Sequence, residues 1–208
     1  MRPSSRAVQV LLFALALTTL RADVAASQPA ATRLPTADSV RAAAARWHRA
    51  NRQAVLRELM DLLAIPNVAS DSVEIRRNAD TLVAMLARRG VRARRLESPG
   101  SPPAVFGELT VPGATRTVML YAHYDGQPVR PQDWRTPPWR PTLVDGRLGE
   151  GGRVRDALPD TGAGEWRLHA RSASDDKGPI VAMLAALDAL RAAGIAPAVN
   201  VKLFLEGE

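Results

Sequence analysis

The 208-residue chain contains no cysteine, which excludes a disulfide framework and any site built on thiolate; a metal held by this chain must be bound through nitrogen and oxygen. Lysine is nearly absent, with only Lys177 and Lys202 among 28 basic residues, the rest being arginines scattered among alanines. Aromatic residues make up 4%, and nowhere do they interleave with a basic stripe. The net charge of +7 therefore implies no nucleic-acid partner. Long apolar runs are also scarce. The stretch Ala7 to Leu20, interrupted by Gln9, Thr18 and Thr19, is too short to span a bilayer comfortably. Arg2 and Arg6 precede it and Val24-Ala25-Ala26-Ser27 follows. This is the pattern of a secretory signal over residues 1–26, which predicts a secreted or periplasmic protein without stable membrane insertion. An uncleaved anchor stays open, because Arg21 directly follows the run.

Residues 27–37, rich in Ala, Pro and Thr, read as a flexible mature N-terminus. Hydrophobic residues at 46% suffice for one buried domain over 38–208. Val40, Ala44, Trp47, Val55, Leu59, Leu62 and Leu63 recur at helical spacing until Pro66, which predicts a long amphipathic helix. His48 lies within it with no acidic or histidine partner three or four residues away, so it reads as a solvated face residue. A second helix is predicted from Ser72 to Arg89, with Gly90 as its C-cap. Strands follow over 91–96, 105–111 and 118–124, the last two joined by a Pro112-Gly113-Ala114 turn. Residues 127–165 show no sustained period and read as an active-site wall, in which Trp134 and Trp139 either line a cleft or staple the loop to the sheet. Pro179 and Gly194 bracket a third helix, and a strand runs over 200–205. Helices with a strand meander point to an α/β fold.

The chemistry concentrates in two clusters. The strand Val118-Met119-Leu120-Tyr121-Ala122 delivers His123 and Asp125, which on extended backbone face the same way. Active sites of α/β folds gather beyond the carboxyl ends of strands, and an imidazole ligand needs its second nitrogen held, often by a carboxylate. The second cluster is Ser174-Asp175-Asp176-Lys177-Gly178-Pro179. Carboxylates ahead of a helix are favoured by its dipole alone, but two of them exceed what a cap needs, and one could bridge two cations about 3.5–4 Å apart. Lys177 is expected to reach solvent. His169 has only its position to recommend it as a ligand, and Ser172 and Ser174 lack the Gly-x-Ser-x-Gly elbow of serine hydrolases.

Three segments, Leu120-Tyr-Ala-His-Tyr-Asp-Gly-Gln-Pro-Val129, Ala170-Arg-Ser-Ala-Ser-Asp-Asp-Lys-Gly-Pro179 and Leu203-Phe-Leu-Glu-Gly-Glu208, in this order and spacing resemble the M20 family of metallopeptidases. The resemblance implies a three-layer αβα zinc-peptidase-like catalytic domain, here incomplete and without the lid domain that often mediates dimerisation. It further implies two Zn(2+) ions, with Co or Mn as substitutes. His123 and Asp175 would be metal ligands, Asp175 bridging both ions, and Asp125 a catalytic residue orienting His123. The implied substrates are small peptides or N-acyl amino acids, and the complete protein is expected to be a homodimer. A non-catalytic binding module that keeps the fold is the alternative. The family's third motif reads Glu-Gly-x-Glu-Glu, its last two glutamates being the general base and a ligand. Because this sequence supplies Glu206-Gly207-Glu208, both are expected beyond residue 208, and neither role passes to Glu208. Purified residues 27–208 are accordingly expected to bind zinc weakly and to lack peptidase activity, as dipeptide turnover monitored by amino-acid release will show. Robust turnover would refute this reading.

Overall fold

The computed structural model describes residues 35–157 and 164–208; the expected signal over 1–26 lies outside the described residues, as do residues 27–34 of the expected flexible segment, whose last residue, Ala37, already begins a helix. Helix α1 (Ala37–Leu63) begins where the Thr36 hydroxyl accepts the Ser39 N–H at 3.2 Å. Helix α2 (Ser72–Ala87) begins where the Asp71 carboxylate accepts the N–H groups of Val73 and Glu74. Beyond α2, Gly90 takes φ +76°, the left-handed turn for which glycine is suited. The described residues form the strands β1 (Arg92–Leu96), β2 (Ala104–Leu109), β3 (Thr117–His123), β4 (Thr142–Val144), β5 (Val154–Arg155), β6 (Arg167–His169) and β7 (Asn200–Glu206), with α3 (Lys177–Ala192) between β6 and β7.

The main sheet has the order β1-β2-β7-β3, which corrects the expected meander: β2 and β3, though joined by a short turn, are not neighbours. Strand β7 lies between them, antiparallel to β2 and parallel to β3. It alternates Val201, Leu203 and Leu205, all buried, and a central position also pairs its backbone on both sides. The parallel pairing needs a crossover, and the segment containing α3 provides it, making β3–α3–β7 a βαβ unit. Register sets Val105, Leu205 and Ala122 side by side, with Gly107, Leu203 and Leu120 one pair further along. This face packs with Ile75, Leu82 and Leu86 of α2 and Ile180 and Leu184 of α3 into one core. A Cβ on Gly107 would meet Val91 at 3.0 Å and Leu86 at 3.3 Å, so glycine there lets α2 approach the sheet. The opposite face carries Phe106, Phe204 and Tyr121, the last two stacked with ring centroids 6.4 Å apart. The segment expected to be an irregular wall contains two 3-10 turns and the strands β4 and β5, which join β6 just beyond it in a second sheet, β5-β4-β6; β4 and β5 are too short to leave a period in the sequence.

Two basic side chains join the helices. Lys177, expected in solvent, is instead fully buried and donates to the carbonyls of Leu62 and Ile65, each at 2.8 Å. It thus ties the start of α3 to the C-terminal end of α1, where carbonyls lack intrahelical partners and the dipole favours a cation. Burial alone pushes its pKa down to about 7. Arg89, with a side chain 7% exposed, pairs with Glu58 of α1 at 2.6 Å and Asp188 of α3 at 2.7 Å. Burial opposes ionisation of Glu58, but the hydrogen bonds and charge of Arg89 and Arg88 outweigh it and lower its pKa.

Lys177→Met should fill the same space but remove a donor from both carbonyls, that of Leu62 keeping the Ile65 N–H at 3.3 Å, and so lower stability by about 2 kcal/mol in urea denaturation. Arg89→Met should cost about 2 kcal/mol at neutral pH, because it leaves two half-buried carboxylates without their cation. Because Glu58 titrates below its ordinary 4.5 in the folded state, its contribution is present above pH 4.5 and is lost as pH falls through the lowered value. The difference between wild type and Arg89→Met should therefore shrink on acidification, and a constant difference from pH 7 to 3 would contradict this assignment.

Candidate metal site

The parallel register sets His123 opposite Glu206, so the carboxyl ends of β3 and β7 finish side by side. The Tyr124 N–H donates to the Glu206 carbonyl at 2.7 Å, and the Tyr121 hydroxyl donates to the Glu206 carboxylate at 2.6 Å. Tyr124 is buried, with its hydroxyl donating to the Pro103 carbonyl. Its ring lies against Gly207, where a Cβ would come within 2.7 Å of the ring carbon bearing the hydroxyl. The glycine of Glu206-Gly207-Glu208 is thus required by close approach.

His123 is held on both ring nitrogens. Its Nδ1 lies 2.9 Å from Asp125 Oδ1, and its Nε2 lies 3.0 Å from Asp175 Oδ1. The three side chains differ in exposure: Asp125 is 4% exposed, His123 29% and Asp175 85%. A buried carboxylate therefore braces the inner nitrogen, while the outer nitrogen and the Asp175 carboxylate face the open side. Burial works against the imidazolium, but hydrogen bonds and charge from Asp125 and Asp175 prevail and raise its pKa. Asp176 does not cap its own helix through its side chain; its carboxylate accepts the His123 backbone N–H at 3.3 Å. The turn leading into α3 is close-packed, since a Cβ on Gly178 would lie 2.3 Å from the Ala173 carbonyl oxygen.

The structure thus brings together His123, Asp125 and Asp175, which the sequence singles out, and adds a backbone contact from Asp176. As a donor set, one imidazole nitrogen and one carboxylate suit zinc, cobalt or manganese. Among the described residues no group of three or more His, Cys, Asp or Glu side chains converges on a metal position, so the described part of the site supplies two donors. His48 is exposed on α1, as expected. His169 does not join His123; with Trp134, Arg171 and Asp175 it lines a cavity of about 240 Å³ beside the Asp175 turn, which places Trp134 at a cleft. The Ser172 hydroxyl accepts a hydrogen bond from Asn67 at 3.1 Å.

Asn67 and Lys177 are the residues near the site that pattern reasoning missed. Asn67 contacts Tyr124 and Ser172, 57 and 105 residues away in sequence. No local signal marks it beyond its place just after Ile65-Pro66, where the first helix must end.

Comparison with known proteins accords with this geometry. Residues 155–208 match the model of peptidase family M20/M25/M40. The Beta-Ala-His dipeptidase of Rattus norvegicus is 33% identical over 108 residues, which are 51% of this chain and 18% of that enzyme. Human carnosine dipeptidase 1 superposes with a TM-score of 0.63 at 25% identity, over 84% of this chain and 35% of that one. An M20 metallo-carboxypeptidase of Sulfolobus solfataricus gives a TM-score of 0.57 at 31% identity, over 74% and 30% of the two chains. The chain therefore spans about a third or less of the length of these relatives. Motif order, a βαβ unit that sets His123 beside Glu206, and these similarities together make the chain similar to members of peptidase family M20/M25/M40, with the family model itself matching residues 155–208.

Proposed function

We propose that the protein is a zinc-dependent hydrolase of amide bonds in small peptides, dipeptides foremost, and that this chain contributes the part of its site built on His123 and Asp175. The observation that carries the reading is the two-sided hold on His123: a buried carboxylate on Nδ1, and Asp175 beside an outward Nε2. Asp125 accepts the Nδ1 proton, which fixes the tautomer whose Nε2 lone pair is free to ligate. Asp176 holds the His123 N–H and so keeps the strand end against the turn bearing Asp175. His123 Nε2 and the Asp175 carboxylate would hold the metal, Asp175 having a second oxygen for a second ion. The chemistry that a zinc pair supplies when bound is a lowered pKa for water and polarisation of the scissile carbonyl.

Dipeptides are favoured over N-acyl amino acids because similar proteins are named for dipeptide substrates: the rat Beta-Ala-His enzyme, and a Cys-Gly metallodipeptidase of Candida albicans 29% identical over 168 residues. Export rests on the basic, apolar and small-residue order of residues 1–27. No helix among the described residues is long and apolar enough to cross a membrane. A homodimer built through a lid domain belongs to the same proposal.

The full-length protein should release free amino acids from β-Ala-His or Cys-Gly, lose this activity to a chelator and regain it with Zn(2+), Co(2+) or Mn(2+). His123→Ala and Asp175→Ala should abolish turnover, whereas Asp125→Asn should lower it roughly 10- to 100-fold by loosening the imidazole. Activity that survives metal removal, or a strong preference for N-acyl amino acids, would defeat the proposal.

A further inference from the structure

Asn67 is fully buried where the chain leaves α1, and its polar atoms meet the two segments that carry the candidate site. Its Nδ2 donates to the Tyr124 carbonyl at 2.5 Å and to the Ser172 hydroxyl at 3.1 Å, while its own carbonyl accepts the Gly126 N–H at 2.7 Å. The peptide groups on either side of Asp125 are therefore both held by one residue, and Val68 extends the contact as a parallel bridge to Gly126. Ser172, three residues before Asp175, is 6% exposed and takes φ +60°, and its carbonyl accepts the Lys177 N–H at 3.2 Å. No slack remains at the junction, since a Cβ on Gly126 would lie 2.5 Å from Ser172 Oγ and 2.9 Å from Asn67 Oδ1. Asn67 Oδ1 is itself buried without a hydrogen-bond partner. An amide that leaves one acceptor unsatisfied is a poor choice for filling space, but it supplies the two donors that this junction uses.

We propose that Asn67 is a positioning residue for the metal site, a clamp that sets the Asp125 carboxylate against His123 Nδ1 and fixes the spacing between the strand end bearing His123 and the turn bearing Asp175. The proposal rests on the reading of His123 and Asp175 as metal ligands. Its consequence is that loss of the Asn67 amide changes the imidazole tautomer and metal affinity without touching either ligand.

The test compares Asn67→Ala and Ser172→Ala with Leu184→Ala, a core truncation in α3 that serves as a stability control, all in the full-length protein. Cobalt affinity is titrated by absorption, and the His123 tautomer is read in the metal-free protein by long-range 1H–15N NMR. Asn67→Ala should weaken Co(2+) binding at least about tenfold and mix the two tautomers. Leu184→Ala should lower the melting temperature but leave affinity within about twofold and the tautomer single. If Asn67→Ala fails to fold, Ser172→Ala, which removes only the 3.1 Å bond, should still weaken binding about threefold, a fraction of the full second-shell effect. Wild-type affinity and a single tautomer in the Asn67 and Ser172 variants that fold would overturn the proposal, as would equal weakening in Leu184→Ala. If the wild type binds no cobalt, the metal reading fails, and the tautomer measurement still decides whether Asn67 orients His123.

Discussion

The contact of the Lys177 amino group with the carbonyls at and just beyond the C-terminal end of α1 is the one on which the arrangement of the site depends. One side chain closes the C-terminal end of α1 and anchors the N-terminal end of α3, two helix ends that would otherwise leave backbone groups unpaired inside the protein. Asp175 and Asp176 immediately precede the anchored residue, so the turn that carries them cannot drift from the sheet without breaking this contact. A solvated lysine would have been cheap; a fully buried one is costly unless its donors are used, and here two carbonyls use them.

Around that tether the site is assembled by backbone as much as by side chains. Parallel pairing of β3 with β7 brings His123 level with Glu206, Asp176 accepts the His123 N–H, and Asn67 grips the peptides flanking Asp125. Each contact joins segments far apart in sequence, and together they leave the imidazole little freedom. Arg89 does comparable work further off, holding α1 and α3 against the end of α2 through Glu58 and Asp188. Exposure rises from the Asp125 brace, 4% exposed, to the Asp175 ligand candidate, 85% exposed.

Much of this was legible beforehand. The helices were readable from their apolar spacing, with Gly90 marking the end of α2, while the Asp71 cap at its start emerged only in the structure. His123 and Asp125 were readable as a pair because period-2 alternation constrains which way neighbouring side chains point, whereas the choice of Asp175 over Asp176 came from the family resemblance. The position of β7 was not readable: sequential strands joined by a short turn usually pair, and only burial of Val201, Leu203 and Leu205 on one face decides for the centre of the sheet. Strands β4 and β5 of the small sheet escaped notice because strands of two or three residues carry no period.

The sequence by itself determined the residue types available to a candidate site, their order and the elements that bear them, because these follow from residue chemistry and local periodicity. Without cysteine the donors had to be imidazole and carboxylate, and with three histidines the choice among them was narrow. Tertiary structure alone decided that Lys177 is buried rather than solvated, that Asp176 serves the backbone of His123 rather than its own helix, and that Asn67 joins the two ligand-bearing segments. The partners of these three residues lie 53 to 115 residues away. Hydrogen bonds across such separations are set by how helices and sheet pack, and no local pattern in the chain encodes them.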